Sequence, residues 1–194
     1  MAVLRRALLA GAVGLLTAAG GFWPALAKVY LTQEDAIRLA FPPPQSAERR
    51  TLYLDEAQAR RAADLSGVAV ETRIVPYYVG VSAGHVTGYA YFDTHLVRTL
   101  QETVLVRMSP EGRIVAIDIV SFDEPEDYKV TPRWLAQFHD QAPEDPKRLP
   151  LGIRSLAGAT LSARSITDAA RRVLALHRLF VQPGTTSPAE PVKP

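Results

Sequence analysis

The sequence predicts an α+β protein: an antiparallel meander sheet flanked by helices, with an amphipathic helix at the C-terminal end. Three observations predict it. From Val68 to Phe122 apolar and polar residues alternate, the period of half-buried strands. Ser109-Pro110-Glu111-Gly112 interrupts that alternation with Pro second and Gly fourth, the pattern of a tight hairpin turn. Ile166, Ala169, Ala170, Val173, Leu174, His177 and Phe180 then recur at three and four residues, one stripe of a helix.

In chain order, Thr32 predicts a cap for a helix over 33–40, with Asp35 closing a capping box. Pro42-Pro43-Pro44 ends it and predicts an extended linker. A brief strand is expected at 50–54. Asp55 and Gln58 form a second capping box, opening a helix over 57–65 that Gly67 terminates. Strands are expected at 68–72, 74–79, 88–92 and 102–108, with 113–122 as the return strand of the hairpin. Thr131-Pro132 starts a helix in the favoured order of cap then proline, carrying Trp134, Leu135 and Phe138. A polar loop over 141–150 leads to the final helix, where Arg164, Arg171, Arg172 and Arg178 fall mostly opposite the apolar stripe. Residues 181–194 are Pro, Thr and Ser with little to bury, and predict a disordered tail.

The 194 residues contain 22 Lys+Arg, 20 Asp+Glu and no cysteine. Without cysteine there is no disulfide, thiolate nucleophile or iron–sulfur ligation. Arg5 and Arg6 are the only charges in residues 1–27, so 20 basic residues face 20 acidic ones beyond them. That balance excludes a protein built on neutralising nucleic-acid phosphates. Arg5-Arg6, the uncharged run 7–19 and Ala25-Leu26-Ala27 have the parts of a secretory signal cleaved after Ala27. The alternative is an N-terminal membrane anchor. Either way a periplasmic or extracytoplasmic location is expected.

Gly80-Val81-Ser82-Ala83-Gly84 matches the nucleophile-elbow pattern, with Asp118 and His139 following in hydrolase order. The elbow requires a helix after the serine. His85–Tyr91 instead reads as strand, which favours a hairpin turn at Ser82. His85, His95, His139 and His177 are scattered, and His177 lies on the apolar stripe, as a buried, hydrogen-bonded histidine does. Asp123, Glu124, Glu126 and Asp127 form an acidic segment suited to a solvated loop or a docking patch. No phosphate-binding glycine loop stands at a strand-to-helix junction.

Ala157-Gly158-Ala159-Thr160-Leu161-Ser162 precedes the last helix. Small residues there admit a bulky group close to the backbone, and Thr160 presents a hydroxyl. The helix N-terminus stabilises a phosphate, and Arg164 adds a charge one turn on. The plainer reading is that Thr160 or Ser162 caps the helix.

Gly88-Tyr89, the Pro-Glu-Gly hairpin, Glu124-Pro125, a Trp/Phe-bearing helix and Gly158-Ala159-Thr160 before an amphipathic helix together resemble the FMN-binding domain family. That family includes flavin-bearing subunits of sodium-translocating NADH:quinone oxidoreductase and of the Rnf complex. The resemblance covers 79–180, with 28–78 as an N-terminal helix/strand extension. It implies a flavoprotein relaying electrons, without a catalytic acid, base or nucleophile of its own. It also implies FMN joined to Thr160 by a phosphoester, made after export by an FAD:protein FMN transferase. Gly158, Ala159, Leu161, Ser162, Arg164 and Glu124 would form the surrounding site. The implied partner is a redox protein, a cytochrome or a membrane redox subunit, steered by the acidic segment 123–127. Arg154 stands where the family carries an acidic residue, and Ala157 where it carries Ser or Thr. Those two positions favour the alternative, a flavin-free module of the same fold that binds a partner.

Overall fold

The computed structural model describes residues 28–142, 144–154 and 156–181. The expected signal over 1–27 and residues 182–194 of the expected tail lie outside the described residues; Val181, expected in the tail, ends a helical segment His177–Val181. The elements are β1 (Lys28–Val29), α1 (Gln33–Ala40), β2 (Ser46–Tyr53), α2 (Glu56–Ser66), β3 (Ile74–Ser82), β4 (His85–Leu96), β5 (Gln101–Met108), β6 (Ile114–Phe122), α3 (Pro132–Leu135) and α4 (Thr160–Leu176). Strands β2 to β6 form an antiparallel meander, and β1 adds beside β6, giving the order β1-β6-β5-β4-β3-β2. This is the expected α+β class. Residues 28–78 supply β1, β2 and the start of β3, and 79–122 completes the same sheet.

Strand alternation sorts the side chains into two cores. Tyr77, Val79, Tyr91, Val104 and Val106 face α4 and the segment carrying Trp134 and Phe138. Tyr78, Ala90 and Leu105 face the opposite way, against Ala36 and Phe41 of the α1 region. A third cluster joins α2 to the end of α4 through Ala59, Ala62 and Leu176. Phe41 packs so closely on β3 that a Cβ on Gly80 would stand 2.3 Å from its ring, so only glycine fits there.

Local chemistry sets the helix ends. Thr32 caps α1 by accepting the Asp35 N–H at 3.1 Å, but the Asp35 carboxylate takes the Thr32 hydroxyl at 2.7 Å and closes no box. At α2 the box forms fully, with Asp55 accepting from Gln58 N at 2.7 Å and the Gln58 side chain accepting from Asp55 N at 2.9 Å. Thr131 caps α3 as expected, accepting from Trp134 N at 3.2 Å. The Ser109–Gly112 turn closes at 3.0 Å.

Four expectations are corrected. Residues 68–72 are not a strand: both edges of β3 are already taken by β2 and β4, so this segment only carries the chain back from α2. Pro42-Pro43-Pro44 is a turn, closed by Gln45 N–H on Pro42 O at 3.1 Å, rather than an extended linker. That turn lays the chain on β3 early, so β2 begins at Ser46 although its exposed polar residues show no alternation. The loop over 141–150 contains a 3-10 segment, Pro146–Gly152.

Ile166 is fully buried between α4 and the sheet. Truncating it to alanine removes three methyl or methylene groups from a packed site, so Ile166→Ala should cost about 2–5 kcal/mol. A lower urea midpoint with an unchanged slope is the expected readout; a midpoint equal to wild type refutes this packing.

Candidate functional site

The start of α4 is where the expected site residues meet. Ala159 occupies the cap position without a side-chain hydrogen bond, so the first-turn N–H groups have no side-chain acceptor. Neither Thr160 nor Ser162 caps the helix, which corrects the plainer reading. Thr160 is exposed and its hydroxyl donates to Leu156 O at 3.2 Å. Ser162 is buried and its hydroxyl donates to Tyr128 O, anchoring the helix start to the segment after the acidic loop. Gly158 has φ +86°, a conformation that disfavours any side chain, and a Cβ there would meet open space.

Thr160 lines a cleft of about 390 Å³, within the range of small-molecule sites. Arg164 lines it too, its side chain 80% exposed and its Nε 4.0 Å from Asp168. Leu161 is 48% exposed, and Ala159 is buried; neither lines the cleft. The cleft also holds Gly67, Trp134, Arg154 and Arg171. Arg171 follows Thr160 by eleven residues, three turns along one helix face, which was the available signal. Arg154, Arg164 and Arg171 line the cleft with one carboxylate, Asp168, which pairs with Arg164 and Arg171.

Glu124 does not line this cleft. Its carboxylate accepts the backbone N–H of Thr99 at 2.8 Å and of Leu100 at 3.0 Å, stapling the β4–β5 connection. Those N–H bonds, Thr99 first, hold its carboxyl below the usual range. Glu126 pairs with Lys129 at 2.6 Å and Lys28 at 2.9 Å, and the lysines and Tyr30 hold it at about 2. Two of the four carboxylates in the acidic segment are thus engaged within the molecule.

A larger cleft of about 630 Å³ lies between β6 and α3, walled by Ile117, Ile119, Pro132 and Leu135. It is the roomier of the two, and its carboxylate Asp118 is bound to Arg107 at 2.7 Å. The hydrolase alternative is not assembled. Ser82 ends β3 in a hairpin with positive φ at Ala83 (49°) and Gly84 (80°), and His139 Nδ1 sits 2.9 Å from Val115 O. Among the described residues no group of His, Asp and Glu is arranged to hold a metal ion. His177 is buried and bonds the Tyr91 hydroxyl at 2.8 Å, as its stripe position implied.

A buried charged cluster joins α4 to the sheet. Arg172 grips Asp93 with two bonds of 2.8 Å; His95 bonds Asp93 at 2.9 Å and Glu102 at 3.2 Å. Glu102 is fully buried and its second oxygen has no partner. Burial lowers the His95 imidazolium, but its bonds to Asp93 and Glu102 outweigh that and raise it from 6.5 to about 9. Burial raises Asp93, yet the His95 and Arg172 bonds bring it down to about 2. Glu102 is raised by burial, with His95 opposing.

Comparisons of the chain with family models, curated proteins and solved structures return no match.

The buried cluster sets a pH dependence of stability. The His95 contribution is complete below pH 6.5 and is lost as pH rises through about 9. The Asp93 contribution is complete above pH 3.8 and is lost as pH falls toward about 2, with the raised Glu102 partly offsetting that acid loss. Unfolding free energies from urea titration should be on the order of 2 kcal/mol lower at pH 10 than at pH 6 in wild type. In His95→Gln the alkaline drop should flatten; an equal drop in both proteins would show that His95 is not its source.

Proposed function

We propose that this protein is an exported, FMN-carrying electron-transfer module, with the flavin phosphate esterified to Thr160. The observation that carries the reading is the exposed Thr160 hydroxyl at the uncapped start of a 17-residue helix, opening into a cleft of three arginines. These residues fit the group. Gly158 leaves room beside the backbone, the helix dipole and N–H groups favour a dianionic phosphate, and Arg164 and Arg154 add charge. Trp134, Ile153 and Ala163 give one side of the cleft apolar character.

When bound, the flavin supplies one- and two-electron transfer, and the protein's share is to hold and tune it. The chain's own residues divide that work. Thr160 tethers, Arg164 and the first-turn N–H groups neutralise, and Ser162 on Tyr128 O keeps the helix start in place. The second reading, a flavin-free module, is favoured by one observation: Arg154 lines the cleft where the family pattern has an acidic residue.

The test is the intact mass of protein exported from a host that has the transferase. Wild type should weigh more than the mature polypeptide by one FMN less a water, and give a fluorescent band on a denaturing gel. Thr160→Ala should lose both, while Thr160→Ser, which keeps the hydroxyl, should retain them. Unmodified mass with colourless native protein would support the flavin-free reading instead.

A further inference from the structure

Strand β6 has a free edge over only part of its length. At one end β1 pairs with Ser121 and Phe122, and the Tyr30 N–H extends that cover to Val120 O at 2.9 Å before the chain turns away into α1. At the other end Gln141 O accepts the Ile114 N–H at 3.0 Å and Ile114 O accepts the Asp140 N–H at 2.8 Å. His139 Nδ1 occupies the next carbonyl, Val115 O. Between these two covers, among the described residues, no backbone group bonds the outer edge of 116–119. Register shifts at Thr103/Val104 and Arg107/Met108 bracket the same stretch, so β6 enters and leaves it through irregularities. In an antiparallel edge strand alternate residues turn both N–H and C=O outward, a template for one more strand.

The cleft of about 630 Å³ opens onto this edge. Residues 115–119 all line it, consecutive positions that one face of a strand cannot supply because side chains alternate. Its walls come from both sides of the sheet: Leu31 packs with the cluster on the α1 side, and Leu135 with the cluster on the α4 side. A cleft that straddles a strand edge accepts an extended chain beside β6, with successive side chains reaching the two walls in turn. Its polar rim is uneven. Asp118 is the only carboxylate lining it among the described residues, and Arg107 holds it. At the β1 end Lys28 and Lys129 share a single carboxylate, Glu126, which leaves positive charge over.

We propose that this gap in the β6 edge is a docking site for a short extended segment of a partner polypeptide. The segment is apolar at alternating positions and carries a carboxylate where it passes Lys28 and Lys129. Main-chain hydrogen bonds to 116–119 supply affinity for a strand, the two walls select its side chains, and the surplus ammonium charge sets which end is acidic. The site shares no lining residue with the cleft at Thr160, so it stands with or without a flavin there.

The test uses the exported protein and a pool of short blocked peptides with Val, Ile or Leu at alternating positions, Thr between them and Glu at one end. Bound peptide should slow hydrogen exchange at the outward amides of 116–119 and leave the amides beside Thr160 unchanged. N-methylation of alternate peptide amides separates strand addition from apolar adsorption: one alternate set should abolish the protection and the other should retain it. Ala136→Trp, which fills the cleft from an exposed position, should weaken binding about tenfold or more at an unchanged urea midpoint. Peptides with Lys in place of Glu should bind several-fold more weakly at low ionic strength, and equal binding overturns the acidic end. No protection by any peptide of the pool, or equal protection by both N-methylated sets, overturns the site. Protection of 116–119 that grows with protein concentration alone, with a dimer mass by light scattering, assigns the edge to a second copy and overturns the partner.

Discussion

The rotation of α4 about its own axis is the constraint on which the rest depends. One side of this helix must fill the sheet, and Ile166, Ala169, Ala170 and Val173 do so at 0–2% exposure. The other side must wall the cleft, with Thr160, Arg164, Thr167 and Arg171. Successive residues are about 100° apart, so a slip of one position would turn Thr160 from the cleft toward the sheet. Apolar packing alone sets the rotation loosely, because alanines are interchangeable in a stripe. Directional bonds sharpen it. Arg172 meets Asp93 through two bonds of 2.8 Å, Ser165 donates to Leu96 O at 3.2 Å, and Ser162 donates to Tyr128 O.

The Arg172 anchor in turn depends on β4 and β5 being in register. Asp93 and His95 share one face of β4, and His95 is paired with Glu102 across the strands. Shifting that pairing by one residue would turn the set to the opposite face and leave Arg172 without an acceptor. A buried group of charges is a weak source of stability compared with apolar packing of the same volume. Its effect here is selective: the wrong register strands an arginine and a carboxylate in the interior, whereas the observed one satisfies most of their atoms. The helix that presents Thr160 is thereby tied to the strand pairing at the centre of the sheet.

The class of fold was legible because it rests on local patterns that tertiary contacts did not override. The Asp55/Gln58 box, the Thr131-Pro132 start, the Ser109–Gly112 turn and the Ile166 stripe each encode their element within a few residues. What was not legible depended on distant partners. Residues 68–72 carry valines that suit a strand, but no sheet edge is free to receive them. The polar face of β2 gives no alternation, yet β3 pairs with it throughout. Of the residues expected at the candidate site, Thr160 and Arg164 lie one turn apart at the start of α4 and both line the cleft. Trp134, Arg154 and Gly67 reach the same cleft from three separate segments, and no spacing rule links them. Glu124, which the family resemblance placed at the site, has as its partners the N–H groups of Thr99 and Leu100, contacts that no local pattern encodes.

The charge that faces outward at this end of the molecule also differs from what composition suggests. The segment 123–127 is acidic, but Glu124 is turned inward and Glu126 is held by Lys28 and Lys129. Around Thr160 the exposed groups are Arg154 and Arg164, and Arg98 extends over the Tyr128 ring at 4.8 Å. A chain with 22 basic and 20 acidic residues thus concentrates positive charge at the start of α4, while two of the four carboxylates of its most acidic stretch are engaged within the molecule. Exposed charges act over about 8–10 Å at moderate ionic strength, so the arginines nearest Thr160 dominate the field there. A negatively charged group is favoured at that mouth for the same reason a phosphate is favoured at its base: guanidinium charge and unpaired helix N–H groups point the same way.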